Sequence, residues 1–190
     1  MEEIEILVEV YDDFQIAFEK ISSMTAFDKN SKVHDVYYFN INDKLLSPDS
    51  NNKIYNSLRV RKKDSLSFIA FKKDYYQNDK WLYSDEHETK VDDFATANII
   101  FKELGYEILI EIINNKHTFY HKDFEIVLEE VLNLGLFLEI EYIGKETGNV
   151  ESIKEDIRGF MKKLNISISA ELNSGKPELM LRKVNHKLKV

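Results

Sequence analysis

Twenty glutamates occur in the chain, and three pairs of them stand two residues apart: Glu3/Glu5, Glu86/Glu88 and Glu139/Glu141. Each pair lies in a strand-like run, where two-residue spacing points both carboxylates to one face. Like charges so placed repel, and a fold that gathered several pairs would need a counter-charge. A hard divalent cation such as Mg2+ or Mn2+ provides it, since it prefers carboxylate oxygen and keeps water or phosphate as further ligands. Taken singly, each pair reads as ordinary polar positions on a water-facing strand. The pattern gains meaning from a basic counterpart.

Arg59 and Arg61, in Leu58-Arg59-Val60-Arg61, are also two apart on a strand-like run. A guanidinium presents a fork of donors that matches phosphate oxygens, so two on one face could clamp an oligophosphate. Lys72 and Lys73 close the next run, Lys116 and His117 sit on a later one, and Arg182 and Lys183 belong to the tail. As surface ion-pair partners these cations would each contribute little. Converging with the glutamates in one channel, they would suit a metal ion and a triphosphate.

The elements that must position these residues are mostly strands. Period-2 or β-branched character runs through Glu3–Val10, Asp35–Ile41, Leu58–Lys62, Ser67–Lys73, Trp81–Val91, Glu107–Ile113, Lys116–Val127 and Leu136–Ile143. Three segments predict helix. Asp12-Asp13 opens one carrying Phe14, Ala17, Phe18 and Ile21. Asp92-Asp93 opens a second, with Phe94, Ala97, Phe101 and Leu104 before a stop at Gly105. The third, Ser152–Leu164, presents Ile153, Ile157, Phe160, Met161 and Leu164; this stripe reads as core packing, with a homodimer contact left open. Leu46–Asn56 and Asp74–Lys80 read as loops. The pattern predicts an α+β fold on a curved antiparallel sheet or barrel, with residues 1–190 as one domain. Charges opposite the aliphatic positions would line either a polar lumen or an outer solvated face.

Composition narrows the function. A formal charge of −8 argues against a protein that coats nucleic acid, although a local basic cluster could still take a small anion. The absence of cysteine excludes disulfides, thiolate metal sites and a cysteine nucleophile. An acidic start and the lack of a long apolar run predict a cytoplasmic protein with no membrane partner. His117 and His121 are four apart, but on a strand they would diverge, which argues against a zinc site.

The order of these motifs resembles the CYTH superfamily of class IV adenylyl cyclases, thiamine triphosphatases and related triphosphatases. Glu3-Ile4-Glu5 is similar to the family's opening acidic motif, and His34 to Phe39 to its "D-x-Y-F" strand. Leu58-Arg59-Val60-Arg61, Phe71-Lys72 and Asp85-Glu86-His87-Glu88 follow in family order. The block from Val127 through Leu134-Gly135 to Glu139-Ile140-Glu141 is the best match, with Glu129 in an aspartate position. The resemblance implies an eight-stranded antiparallel β tunnel, open at both ends, that holds a triphosphate and a divalent metal, Mg2+ or Mn2+. It assigns phosphate to Arg59, Arg61 and Lys72, with His117 and Lys183 as further candidates. Metal ligation or positioning of the ligand falls to Glu3, Glu5, Glu86, Glu88, Glu139 and Glu141.

Two departures bear on activity. The family's E-x-E-x-K motif has Leu7 at its lysine, a residue implicated in activating water in triphosphatases. Its "K-x-R-x-x-Y" strand aligns with Asn115 to Tyr120, leaving Asn115 and His117 at the basic positions and Lys116 on the opposite face. Losing one donor aimed at developing charge costs about 10² to 10³ in rate. The resemblance therefore implies conversion of ATP to cAMP and pyrophosphate at low turnover. The alternatives are hydrolysis of inorganic, thiamine or nucleoside triphosphate, and binding of a triphosphate or other polyanion without catalysis.

Overall fold

The computed structural model describes residues 2–42, 44–145 and 149–187. Among them, eight strands close into an antiparallel barrel: β1 (Glu2–Glu9), β2 (Ala26–Phe39), β3 (Asn56–Lys63), β4 (Leu66–Gln77), β5 (Lys80–Val91), β6 (Glu107–His121), β7 (Phe124–Val131) and β8 (Gly135–Tyr142). Around the barrel they run β1-β5-β4-β3-β2-β6-β7-β8. Four helices flank it: α1 (Phe14–Ser22), α2 (Phe94–Glu103), α3 (Val150–Leu164) and α4 (Lys176–Lys187). None of the described helices is long and apolar enough to cross a membrane.

The apolar core lies outside the barrel wall. Ile4, Ile6 and Val8 of β1, Ile126 and Leu128 of β7, and Leu138 and Ile140 of β8 point outward. They pack beneath Ala17 and Ile21 of α1 and beneath Ile153, Ile157, Phe160 and Leu164 of α3. A smaller cluster sets Ala97, Phe94 and Phe101 of α2 over Val36, Tyr38 and Val60. Alternation then turns every second residue of the same strands inward, so the lumen receives the charged set.

Helix boundaries follow local chemistry. The Asp93 side chain accepts from the Thr96 amide at 2.7 Å and caps α2. Gly105, with φ +84°, takes the left-handed position just beyond that helix. Leu104, placed on the apolar face of α2 by periodicity, is 64% exposed, because the helix ends before its side chain can turn inward.

Several strand limits differ from the periodic reading. β2 begins at Ala26, nine residues before the alternation becomes legible. β4 and β5 meet at a tight turn in which Asn78 and Asp79 both have positive φ, so Asp74–Lys80 is mostly hairpin. The run read as Lys116–Val127 is divided at Lys122, whose φ of 52° makes the turn between β6 and β7. Helix α4 carries an apolar pattern too weak to predict it, although Gly175-Lys176-Pro177-Glu178 is a helix-start signature.

Barrel closure is uneven. β1 pairs with β8 from Ile4 to Glu9, but with β5 only at Glu2 and Glu3. Beyond that point residues 167–173 fill the seam. Ser169 and Leu172 donate backbone amides to Glu9 and Leu7 at 2.9 Å, and Trp81 donates to the Asn173 side chain at 3.0 Å. Lys154 of α3, 1% exposed, fastens the seam from outside. Its ammonium donates to the Trp81 carbonyl at 2.6 Å and to Glu171 at 2.9 Å. Lys154→Met is expected to cost about 1–3 kcal/mol by unpairing the buried Trp81 carbonyl and leaving Glu171 to Arg158 alone, read by circular dichroism as a melting temperature lower by roughly 3–10 °C.

Candidate functional site

One cavity fills the barrel lumen. Glu3, Glu5 and Leu7 of β1 line it, with Glu86 of β5 and Glu139 and Glu141 of β8. Arg59 and Arg61 of β3 and Lys72 of β4 line it from the other side. The lumen thus brings together the acidic and basic residues whose spacing marked them, with the exceptions described below.

Opposite charges are paired across strands. Arg61 grips Asp35 with two parallel bonds, Nε at 2.7 Å and one terminal nitrogen at 2.9 Å. Burial opposes the Asp35 charge, but Arg61 and Arg59 overcome it and hold the carboxyl well below the usual carboxylate range. Arg59 donates to Glu86 at 2.9 Å and to the Tyr37 hydroxyl at 3.3 Å, while its Nε–H is buried without an acceptor. Such an unmade bond costs about 1–3 kcal/mol, which an anion in the lumen would recover. Lys72 lies between Glu5 at 2.7 Å and Glu3 at 2.9 Å. Burial works against its charge, and the two glutamates reverse that effect, so its affinity for the proton is well above normal.

A second charged layer lies nearer α4. Lys176, the first residue of that helix, bonds both Glu129 of β7 and Glu139 of β8. Lys116 of β6 stands 3.9 Å from Glu129 and 4.0 Å from Glu139. Asn114 donates to Glu129 at 2.6 Å. Beside them the segment 175–178 lines the cavity, and Met180 packs with Leu7, Tyr37, Ile112, Val131 and Phe137. One mouth is therefore covered, where a tunnel open at both ends was expected.

Among the described lumenal residues, Glu141 is surrounded chiefly by other carboxylates. It faces Glu5 on β1 and Glu125 on β7 directly across both ladders. Burial first, then Glu5 and Glu3, push its carboxyl up to about 8. An all-oxygen carboxylate set with unbalanced charge fits a hard cation such as Mg2+ or Mn2+. Among the described residues no three acidic or histidine side chains surround a common point, because Lys72 and Lys176 sit between the carboxylates.

Four positions lie elsewhere than the strand pattern put them or at the edge of the lumen. His117 points outward, its ring 4.8 Å from Phe14 and 5.8 Å from Phe18, and burial lowers its proton affinity. Even-numbered residues of β6 face the lumen, so Lys116 enters it and the basic-strand motif falls on Asn114 and Lys116. Lys183 is exposed on α4, outside the cavity-lining set. Glu88 shares the face of Glu86 but lies outside that set too, 4.0 Å from Arg61. Sequence reasoning left Asp35, Glu129 and Lys176 out of the site. The first two stood inside recognised motifs, whereas nothing in the sequence signalled that Lys176 enters the barrel.

The buried carboxyls set the pH dependence of stability. Asp74 is raised to about 6 and Glu178 to about 7, both chiefly by burial. With Glu141 near 8, each folded value exceeds the ordinary 3.8 to 4.5, so the folded state binds these protons more tightly. Their contribution is complete in acid below those ordinary values and is lost as pH climbs through 6 to 8. Asp35 and Glu139, held low, act in the opposite sense only at more acid pH. Metal-free protein is expected to melt at a lower temperature at pH 8 than at pH 5. Glu141→Gln should remove the part of that fall above pH 7, and melting curves across the pH series check both.

Comparisons with known proteins agree with this geometry. The CYTH domain model matches residues 1–170. A Methanocaldococcus jannaschii protein named "Putative adenylate cyclase MJ0240" is 27% identical over 168 residues, covering 88% of this chain and 91% of its own. The PH1012 protein from Pyrococcus horikoshii superposes with a TM-score of 0.76 at 26% identity, over 93% of this chain and 98% of that one. HpAC1 from Hippeastrum, an adenylyl cyclase candidate with a dominant triphosphatase activity, shares the fold at 17% identity. Its TM-score is 0.69, over 97% of this chain and 96% of its own. With the family's pattern matched across most of its length and its barrel formed, the chain belongs to the CYTH domain family.

Proposed function

We propose that the chain is a divalent-metal-dependent enzyme that binds a triphosphate in its barrel lumen and, in the reading placed first, cyclises ATP to cAMP with release of pyrophosphate. The carrying observation is the opposition, within one lumen, of the Arg59 and Arg61 guanidinium groups to carboxylates of β1, β5 and β8. The name of the Methanocaldococcus jannaschii relative points the same way. A cytoplasmic setting, where nucleoside triphosphates are held, fits this reading.

Each residue's part follows from its surroundings. Arg59, with a buried donor to spare, and Arg61 bind phosphate oxygens and orient the chain of phosphates along β3. Lys72, on the neighbouring strand β4, adds a third cation beside them. A cation held among Glu3, Glu5, Glu139 and Glu141, with Glu129 beside Glu139 on their shared Lys176, would neutralise phosphate charge and polarise the bond to the leaving oxygen. Glu86 keeps Arg59 extended toward the lumen, and Asp35 fixes the plane of Arg61. Together these groups fix the phosphates in line with an attacking oxygen, which is where phosphoryl-transfer proteins gain most of their rate.

A second reading, hydrolysis of a triphosphate, is favoured by one observation. Leu7 deprives β1 of the family's lysine, yet Lys176 places an ammonium on Glu139, the residue opposite Leu7. Purified protein incubated with Mn2+ and ATP, inorganic triphosphate or thiamine triphosphate separates the readings, with products resolved by chromatography. Cyclic AMP plus pyrophosphate is expected from ATP. Arg59→Ala and Glu139→Ala should each lower kcat/KM by about 10²- to 10³-fold. Orthophosphate with the matching diphosphate (ADP, pyrophosphate or thiamine diphosphate) and no cyclic AMP would establish the hydrolase, and binding without turnover would overturn both.

A further inference from the structure

Among the described cations that line the lumen, Lys176 alone comes from a helix. It also lies beyond residue 170, where the match to the family ends. Its two partners need it. Glu129 is 0% exposed, and Glu139 faces Leu7 across the β1–β8 ladder. Asn114 gives Glu129 an amide and Leu7 gives Glu139 a methyl surface, so neither neighbour brings charge. Lys116, 3.9 to 4.0 Å away, cannot neutralise two carboxylates alone. Burying such a pair without a close counter-charge is strongly unfavourable.

The ammonium is delivered by an anchored helix. Glu178, 1% exposed, accepts the Gly175 amide as a cap and the Ile54 amide at 2.8 Å. Met180 packs against Leu7, Ile112 and Phe137 at the covered mouth. Against this fixed base the four-carbon stem of a lysine can re-aim its three donors without moving the backbone.

We propose that Lys176 is an exchangeable counter-ion: it holds Glu129 and Glu139 when no divalent cation is bound, and yields them to one that binds. The displaced ammonium then turns to the phosphate oxygens of the ligand. The inference rests on the lumen's being a metal and triphosphate site. A dication and an ammonium cannot share the same two carboxylates, since the metal takes their oxygen lone pairs and repels the neighbouring charge. Freed from them, Lys176 remains a buried cation for which an anion is the available partner.

Lys176→Met keeps the stem and deletes the charge. Mn2+ is titrated into wild type and variant without triphosphate, followed by calorimetry and by the fluorescence of Trp81, the sole tryptophan, which lines the cavity. The variant is expected to bind Mn2+ about 10-fold more tightly, and once loaded to bind inorganic triphosphate about 10-fold more weakly. Equal or weaker Mn2+ binding by the variant overturns the exchange while leaving the metal site standing. Failure of both proteins to bind Mn2+ removes the metal site and the exchange with it. Should the variant not fold, hydrogen exchange in wild-type α4 decides: Mn2+ is expected to speed it by releasing the two ionic contacts, and unchanged rates overturn the proposal.

Discussion

The structure depends on charge neutralisation inside a closed wall. Carboxylates from β1, β5, β7 and β8 are withdrawn from water, and each would be costly alone. Asp35 with Arg61, Glu86 with Arg59, and Glu3 and Glu5 with Lys72 reduce that cost by pairing residues far apart in sequence. Removing one member of such a pair unbalances the rest, because the pairs share one low-dielectric space. Glu141, left over from the pairing, marks where positive charge is still wanted.

Placing the polar set inside forces the apolar set outside, which explains the helices. A barrel with an aliphatic outer surface needs cover, and α1, α2 and α3 provide it over three sectors of the wall. The outer layer carries the apolar packing of the fold, while the lumen buries charge at some expense to stability. Helix α4 is the exception. It packs with lumenal residues rather than over the outer wall, and so touches both the apolar base of the cavity and its charged layer.

Much of the fold was legible because alternation is a strong signal where strands are regular. Glu3/Glu5, Arg59/Arg61 and Glu139/Glu141 fell where two-residue spacing put them, on inward faces. Legibility failed in β6, where Ile108 to Ile113 is apolar on both faces but for Glu111 and an isolated Lys116-His117 pair can be read in either phase. Phe119 on the buried outer face, odd-numbered like His117, settles the phase once the helices are seen. The extent of β2 was hidden because residues 26–32 are almost all polar. The role of Lys176 was beyond sequence reasoning, since it depends on where a C-terminal helix docks rather than on any local pattern.

The uneven seam has a consequence for how the chain acquires its shape. The first strand makes most of its hydrogen bonds with the eighth, joining residues 4–9 to residues 137–142. Pairing of such distant segments is entropically slow. During synthesis the hairpins of β3 to β5 and of β6 to β8 can assemble early, while β1 waits, edge unpaired, for more than a hundred residues to emerge. Only then does the cylinder shut, and residues 167–173 lace the remaining gap afterwards. The charged lumen is thus the last thing the ribosome's product builds.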